Sequence, residues 1–293
     1  MIADFTHLPL PRIQAYLQHA VAPRPICLAS TVDRAGQVNL SPFSFFNLFS
    51  SNPPILVFSP SRRLRDGSTK HTLENLLEVP EVGIHIVDYD MVQQVSLASC
   101  EYPRGVNEFT KSGFTQETAR LIRPPLVKES KIRMECRVNE IKPLGEQGGA
   151  GNLVICQVLL MHIDDSLLDQ NQMIDQTRIE HVARLGANWY CRVNPSSLFE
   201  VEKPNIHIGI GVDALPRAIA RSPFLSGNHL GQLANVDSLP ALDPAFCDDR
   251  LKNIIQYFGN SPDEMERELH IYAAELLDEG KLHAAWQVLL TLN

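Results

Sequence analysis

The first two thirds of the sequence contains many short segments typical of β-strands and few helices, and this feature most limits the possible folds. Short helical patterns occur only near residues 72–79 and 90–98. A parallel sheet would need a helical crossover between most of its strands. The sequence therefore predicts a mainly β fold, an antiparallel barrel or sandwich. The predicted strands are rich in β-branched residues or alternate between apolar and polar residues, and they lie at 25–32, 54–59, 82–87, 131–141 and 152–163.

Two of the connections between these strands have a clear turn composition. The segment DRAGQ, residues 33–37, follows the first predicted strand and predicts a hairpin loop. The segment GEQGGAGN, residues 145–152, links the last two predicted strands. Its many glycines leave the backbone with little conformational restriction, so we expect a mobile connection there.

The sequence becomes helical after about residue 200, which predicts a helical C-terminal part. In the segment 261–280, Ser261 fits the N-cap position and Gly280 the C-terminal stop. Two further helices are predicted at 244–259 and 281–290. We therefore expect two domains: a β domain over residues 1–199 and a helical extension over residues 200–293.

Charge and cysteine content exclude several classes of function. The 293 residues carry a net charge of −8, which argues against a general nucleic-acid binder and against binding to an anionic membrane surface. None of the six cysteines forms a CxxC pair, so neither a zinc site nor a disulfide framework is predicted. No apolar stretch approaches 18 residues, and no signal peptide is recognisable. We therefore expect a cytoplasmic protein that does not span a membrane.

The densest basic region of the chain predicts an anion site. Residues 59–72, SPSRRLRDGSTKHT, contain four cations and several hydroxyls, and a helix is predicted to begin at about Thr72. Unpaired N–H groups at a helix start, together with nearby Arg and Lys, can bind a phosphate. The glycine spacing of a P-loop is missing, so a monophosphate is the better match. The alternative is a solvated loop in which Thr72 caps the helix.

The segment NLSPFSFFNLFSSNPP, residues 39–54, combines aromatic and polar residues in an unusual way. It holds four of the twelve phenylalanines, with serines and asparagines between them. Phenyl rings can sandwich a flat ring system, while Ser and Asn can bond its polar edge. Only one predicted strand, at most about 20 Å long, separates this segment from the basic region. A flat ring at one end and a phosphate at the other describes FMN, although the phenylalanines could instead simply close one end of a barrel.

Several motifs resemble the flavin reductase-like family of FMN-binding split barrels. The resemblance covers about residues 20–193 and implies a six-stranded antiparallel split barrel, a homodimer, and FMN bound near the subunit interface. It carries no implication for residues after about 200. The matching segments, in chain order, are APRPICLASTVDRAGQVNLSPFSFFNLFSSNPPILVFSPS, KHTLENL, EYPRGVNEFTKSGF, RPPLVKES, MECRV, NLVICQV and RLGANWYCRV.

The resemblance also implies which residues hold the cofactor. Four residues of the phenylalanine segment would meet the isoalloxazine and the ribityl chain, namely Ser44, Phe45, Phe46 and Asn47. Four residues of the basic region would hold the phosphate, namely Ser59, Arg62, Lys70 and Thr72. Arg184 matches a family segment associated with the flavin pocket, and a structural salt bridge is the alternative role for it. The neighbouring His71 is expected to be a surface residue.

An FMN-dependent oxidoreductase is the function that the resemblance implies, most simply an NAD(P)H:flavin reductase in which a nicotinamide passes hydride to flavin N5. Such a transfer needs no general acid or base, and no Ser-His-Asp, HExxH or paired-carboxylate signature occurs in the chain. No GxGxxG fingerprint follows a strand, so the nicotinamide would bind without a Rossmann fold.

Two other functions remain open. One is an FMN electron carrier similar to the flavoredoxins, and the other is a flavin-binding scaffold whose helical tail recruits a partner protein. The segment 222–240 is irregular in pattern and rich in Gly, Asn and Leu. It is predicted to be a loop, with the hypothesis that it narrows access to the flavin. The alternative is that it only links the barrel to the helices.

Overall fold

The computed structural model describes residues 1–201, 203 and 208–291, and its contacts divide the chain into two compact units, Met1–Phe199 and Glu200–Asn293. The parts of the predicted helical extension at 202, 204–207 and 292–293 lie outside the described residues. In the described part of the chain, no helix has both the length and the apolar character needed to cross a membrane.

The elements of the first unit are mostly strands. Its strands are β1 Arg24–Pro25, β2 Cys27–Val32, β3 Val38–Phe43, β4 Phe46–Ser51, β5 Pro54–Phe58, β6 Glu81–Ile86, β7 Gln116–Glu117, β8 Leu126–Val127, β9 Ile132–Pro143, β10 Asn152–Ile163, β11 Val182–Arg184 and β12 Tyr190–Arg192. Its helices are α1 Leu10–Ala20, α2 His71–Glu78, α3 Val92–Ala98 and α4 Glu108–Ser112. The second unit contains α5 Arg217–Ala220, α6 Gly227–Ala234, α7 Asp249–Phe258, α8 Pro262–Asp278 and α9 Leu282–Leu290.

Seven strands form one antiparallel sheet in the order β3-β2-β6-β9-β10-β5-β4. The two edge strands, β3 and β4, are consecutive in the chain and are joined only by Ser44 and Phe45. Three Cα–Cα steps span at most about 11 Å. The sheet must therefore curve until its two edges meet at this corner. The predicted antiparallel split barrel is confirmed, with seven strands in the sheet instead of six.

Strand β2 shows why the barrel needs helices on its outer face. Every residue of this strand is buried. Cys27 and Ala29 point into the barrel interior, whereas the alternate residue Leu28 packs with Met91 and Phe109 from the segments that cover the outside. A strand covered on both faces becomes a continuous apolar run, which explains the composition of PICLAS.

Three thiols lie inside the barrel. Cys27, Cys136 and Cys156 are fully buried, and all three are free cysteines. Burial, followed by the neighbouring Cys156, raises the pKa of the Cys27 thiol well above its usual value. A hydrogen bond with Cys156, together with burial, raises that of Cys136 in the same direction. These cysteines therefore pack as small apolar residues.

His85, on β6, is a fully buried histidine with a fixed tautomer. Its Nε2 accepts the Val127 N–H at 3.0 Å, so its Nδ1 carries the proton and donates to the Leu28 carbonyl at 2.7 Å. Burial lowers the pKa of His85 to about 4. The neutral ring thus joins β6 to β2 and to β8.

We predict that this histidine makes the fold sensitive to mild acid. Between pH 6.5 and about 4 the unfolded chain binds a proton at His85 and the folded chain does not, so the free energy of unfolding falls as the pH falls. The loss at pH 5, relative to pH 7, is about 2 kcal/mol. Urea unfolding at both pH values measures it. The His85→Gln variant cannot titrate, and an equal loss in that variant would assign the effect to other groups.

The second unit has a helical core of its own. Trp286, Leu269, Leu233 and Ala273 are almost completely buried in it. Helix α7 begins at Asp249, five residues later than the predicted start at 244, because the Asp248 side chain accepts the Leu251 N–H at 2.7 Å and caps the helix.

The prediction of a loop over 222–240 was wrong in its centre, where α6 forms. Ser226 Oγ accepts the His229 N–H at 3.2 Å, and His229 Nδ1 accepts the Ser226 N–H at the same distance. This is a capping box in which histidine takes the place usual for Glu or Gln. Leu233 and Ala234 of this helix are buried in the helical core.

Candidate flavin site

The β4–β5 hairpin brings the two predicted parts of the site together. Phe46 lies opposite Phe58, so the chain entering β4 and the chain leaving β5 are neighbours. The Ser59 N–H donates to the Phe45 carbonyl at 2.9 Å. Sequence reasoning set an upper limit of one strand length between the phenylalanine segment and the basic loop, here defined as residues 59–70. In the structure the hairpin places the two segments side by side, and one hydrogen bond joins them at the barrel corner.

The four phenylalanines of the segment divide into two pairs. Phe43 is buried with its ring centre 5.2 Å from that of Phe58, and the half-buried Phe46 packs against the same core. Phe45 and Phe49, in contrast, are 43% and 66% exposed. Closing the barrel end therefore accounts for Phe43 and Phe46 only. The exposed pair needs another explanation, because large aromatic side chains on a surface commonly mark a binding site or an interface.

Polar groups stand beside the exposed ring of Phe45. Ser44 is half-buried at the corner, and Asn47 is exposed on β4. The Asn47 Oδ1 accepts the Leu48 N–H at 2.8 Å. This bond fixes the amide so that its NH₂ group remains available as a donor, and the described residues offer it no partner.

Internal hydrogen bonds shape the basic loop. Arg63 Nη1 donates to Ser68 Oγ at 3.0 Å and to the Thr69 carbonyl at 2.5 Å. Arg62 Nη1 donates to the Gly67 carbonyl at 3.1 Å. The Arg62 Nε is buried and has no hydrogen-bond partner among the described residues. A buried charged donor without a partner is costly, so this atom fits an anionic ligand at the loop.

The glycine-rich loop between β9 and β10 holds the basic loop from one side. The Arg62 N–H donates to the Ala150 carbonyl at 2.8 Å, and the Gly149 N–H donates to the Arg62 carbonyl at 3.0 Å. A Cβ on Gly148 would lie 2.8 Å from the Leu64 carbonyl oxygen. Instead of being a free connection, as its composition suggested, this loop is bonded to the basic loop and needs a glycine for the close approach.

Lys70, at the N-cap of α2, is a half-buried cation without an ion-pair partner among the described residues. Its ammonium lies 5.4 Å from the centre of the Phe43 ring. Burial, followed by the positive charge of Arg63, lowers the pKa of Lys70. The negative charge of Glu101 acts in the opposite direction and offsets only part of this shift. A partly desolvated cation that forms no ion pair with the described residues is suited to an anion supplied by a ligand.

Thr72 has a different environment from the one expected. Its side chain is fully buried, and its hydroxyl donates to Asn39 Oδ1 at 2.8 Å. The Asn39 amide donates in turn to the buried Glu108 at 2.9 Å. The N-cap of α2 is Lys70, so Thr72 does not cap the helix, and its hydroxyl is already engaged. Its backbone N–H, in the first turn of α2, is the group left to face an anion.

A narrow cleft lies between the basic loop and the segment 99–107, which we call the strap. Its volume is about 30 Å³, room for about two water molecules. Sequence reasoning missed the strap residue Glu101, because no sequence pattern connects it with arginines nearly forty positions away. His71, for which the sequence predicted a surface position, is half-buried. The lining residues are Asn39, Ser41, Arg63, Lys70, His71, Ser99, Cys100, Glu101, Tyr102 and Glu108.

Arg184 lies on the separate three-stranded sheet β1-β11-β12. Its guanidinium is 4.5 Å from the centre of the Tyr190 ring and donates to the Ala187 carbonyl. Among the described residues, Arg184 has no ion-pair partner. Strand β1 pairs with β11, and Cα atoms of β1 lie within 8 Å of Cα atoms of β4. The small sheet thus neighbours the phenylalanine segment, but the structure brings Arg184 into no contact with the basic loop.

Comparison with known proteins agrees with this arrangement. A family model described as Flavin reductase like domain matches residues 19–180. A protein of Aquifex aeolicus is 33% identical over 172 residues, which are 59% of this chain and 85% of the relative. A protein of Halalkalibacterium halodurans is 34% identical over 189 residues, 64% of this chain and 88% of the relative.

Solved structures show the same fold. Nitrilotriacetate monooxygenase component B from Bacillus cereus superposes with a TM-score of 0.64 at 27% identity, over 69% of this chain and 98% of the other. The 2-nitrobenzoate 2-nitroreductase of Pseudomonas fluorescens gives 0.63 at 21% identity, over 72% and 100%. More than half of the chain matches the family model, and the chain therefore belongs to the flavin reductase-like family of flavin-binding redox proteins.

Proposed function

We propose that this protein is an FMN-dependent oxidoreductase, most simply an NAD(P)H:flavin reductase. The observation that carries the proposal is a pair of cations, Lys70 and Arg62, that form no ion pair with the described residues and lie on a loop bonded to the exposed Phe45 corner. A monophosphate and a flat ring are the two chemical groups that such a corner accommodates together.

In this proposal the phosphate is held by the basic loop and the start of α2. Lys70 supplies a point charge, and Arg62 supplies the Nε donor to which the described part of the chain offers no partner. The N–H groups of His71 and Thr72 lie in the first turn of α2, where helical geometry leaves them unpaired and the helix dipole favours an anion. Ser59 is buried beside Gly151, and glycine leaves space next to the Ser59 hydroxyl, because a Cβ there would lie 2.5 Å from Oγ.

The ring system is assigned to the barrel corner. Phe45 offers an exposed aromatic face, and Asn47 and Ser44 offer donors for the polar edge. Phe46 fixes the corner by packing into the core, and we place Arg184 at the side of the pocket formed by the small sheet. Bound FMN would supply the hydride-accepting chemistry, while these side chains bind and orient it.

We further propose a homodimer with the cofactor near the subunit interface. Strand β4 is an edge of the seven-stranded sheet, and its side chains Leu48 and Phe49 are 59% and 66% exposed. An apolar edge strand on the surface is a typical site of association. Light scattering of the purified protein gives the molar mass directly, and a value of 32.8 kDa would contradict this part of the proposal.

The contact between Gly148 and the basic loop leads to a testable expectation for the site. In the Gly148→Ala variant the new methyl group would be 2.8 Å from the Leu64 carbonyl, so the backbone of the basic loop must move. We expect the free energy of unfolding to fall by about 1–3 kcal/mol, as for other overpacked positions, and FMN affinity to fall severalfold. The matched control is Gly231→Ala in α6, where nothing lies within 4 Å. Equal FMN affinity in both variants would show that the basic loop is not part of the FMN site.

The decisive experiment measures the cofactor and then the reaction. The purified protein is titrated with FMN, followed by fluorescence quenching, and the loaded protein is mixed anaerobically with NADH or NADPH. Flavin absorbance should bleach within seconds. If FMN binds but neither nicotinamide bleaches it, the protein is an electron carrier of the flavoredoxin kind. If FMN does not bind, the oxidoreductase proposal is wrong.

A further inference from the structure

The strap is attached to the site by two charged side chains of opposite sign. Near its start, Glu101 forms ion pairs with Arg63 at 3.3 Å and with Arg65 at 3.0 Å. Both arginines belong to the basic loop. The carboxylate of Glu101 therefore attaches the strap directly to the arginines of the basic loop.

The second attachment is Arg104. Its guanidinium contacts three carboxylates, Glu74 at 2.7 Å, Asp33 at 3.7 Å and Glu78 at 3.9 Å. Glu74 and Glu78 belong to α2, whose N-terminus follows the basic loop. The strap is therefore attached at two places: the acid Glu101 pairs with the basic loop, and the base Arg104 pairs with carboxylates along α2.

The strap also closes the cleft next to the proposed phosphate position. Ser99, Cys100, Glu101 and Tyr102 line the cleft on one side, and Lys70 lines it on the other. Its volume of about 30 Å³ leaves little room beyond the Lys70 ammonium. A ligand whose phosphate contacts Lys70 and the first turn of α2 therefore ends beneath the strap.

We infer that the strap determines which flavin the site accepts. This inference rests on the proposed function and adds the specificity to it: the site takes a flavin with a terminal monophosphate and rejects a flavin dinucleotide. In a dinucleotide, the phosphate at Lys70 continues into a second phosphate and a nucleoside, which must pass through the space that the strap occupies. Glu101 and Arg104 are the specificity-determining residues because they fix the strap in place.

The test uses two single variants of opposite charge, Glu101→Gln and Arg104→Gln, in the full chain. Dissociation constants for FMN and FAD are measured by fluorescence quenching at one salt concentration. The wild type should bind FMN at least tenfold more tightly than FAD. Each variant should reduce this preference about threefold to tenfold, because exposed ion pairs contribute modestly and each variant releases one attachment. Arg178→Gln, which disrupts the Arg178–Asp175 pair at 3.0 Å outside the cleft, is the control.

The opposite charges separate a steric role from an electrostatic one. If charge alone acted, Glu101→Gln would tighten both flavins and Arg104→Gln would weaken both, each without changing the FMN-to-FAD ratio. That result would overturn the inference, and so would a wild type that binds FAD as tightly as FMN. In both cases FMN still binds, so the proposed function stands. A wild type that binds neither flavin would instead refute the proposed function.

Discussion

FMN should bind about a thousandfold more weakly to the double variant Arg62→Gln/Lys70→Gln than to the wild type. Each side chain is expected to make a charge-assisted contact with the phosphate, and such contacts are worth about 1.5–3 kcal/mol each. Every 1.4 kcal/mol changes the dissociation constant tenfold. Lys70 makes no ion pair among the described residues, and the side chain of Arg62 makes one hydrogen bond there, to the Gly67 carbonyl. The loss should therefore come from the ligand and not from the fold.

Riboflavin provides the matched control for this experiment. It has the same ring system and lacks the phosphate, so its affinity should be equal in the wild type and the double variant. The exposed Lys142 on β9 supplies a control variant, Lys142→Gln, that changes the net charge without touching the basic loop. A parallel loss of riboflavin affinity would show that the substitutions disturb the barrel corner. An unchanged FMN affinity would show that the basic loop does not bind the phosphate.

Trp286→Ala should destabilise the second unit by about 3–5 kcal/mol and leave FMN binding unchanged. Trp286 is 1% exposed at the centre of a helical core built only from residues of the second unit. Its removal leaves a large cavity there. The barrel core consists of different residues, all from the first unit. We propose that the first unit alone forms the flavin site, as the predicted division at residue 199 implies.

Urea unfolding followed by far-ultraviolet circular dichroism measures the loss, and an FMN titration under native conditions measures the site. Trp286→Phe is the conservative comparison. The indole Nε1 is buried without a hydrogen-bond partner among the described residues, so phenylalanine loses volume but no hydrogen bond. Phe58→Ala, in the barrel core, is the reciprocal variant and should weaken FMN binding. An FMN affinity that falls together with the stability of Trp286→Ala would contradict the division of roles.

Much of the β architecture follows from local sequence patterns. The strands predicted at 82–87, 131–141 and 152–163 correspond to β6, β9 and β10, and the DRAGQ hairpin joins β2 to β3. The aromatic segment 39–54 was harder, because it holds the end of β3, a two-residue corner and all of β4. Core and surface phenylalanines follow one another there, so neither period 2 nor a continuous apolar run identifies the strands.

The candidate site was predictable as two segments but not as a set of contacts. Composition alone identifies the basic loop, and the family resemblance selects Arg62 and Lys70 from it. The engagement of the Thr72 hydroxyl by Asn39 depends on strand β3 packing against α2. The ion pairs of Glu101 join residues 36 and 38 positions apart, because the strap folds back over the loop. Contacts between distant residues of this kind depend on the closed barrel, and no local pattern encodes them.

The alkylation rate of the three interior thiols should measure how often the barrel opens. Thiolate is the form that reacts with alkylating agents, and burial keeps Cys27 and Cys136 protonated and out of reach of reagents. Iodoacetamide should therefore modify the exposed Cys100 and Cys247 within minutes, while Cys27, Cys136 and Cys156 react only as fast as the sheet separates. Mass spectrometry of the alkylated chain would then report the opening rate of the first unit in the intact protein, and bound flavin should slow that rate.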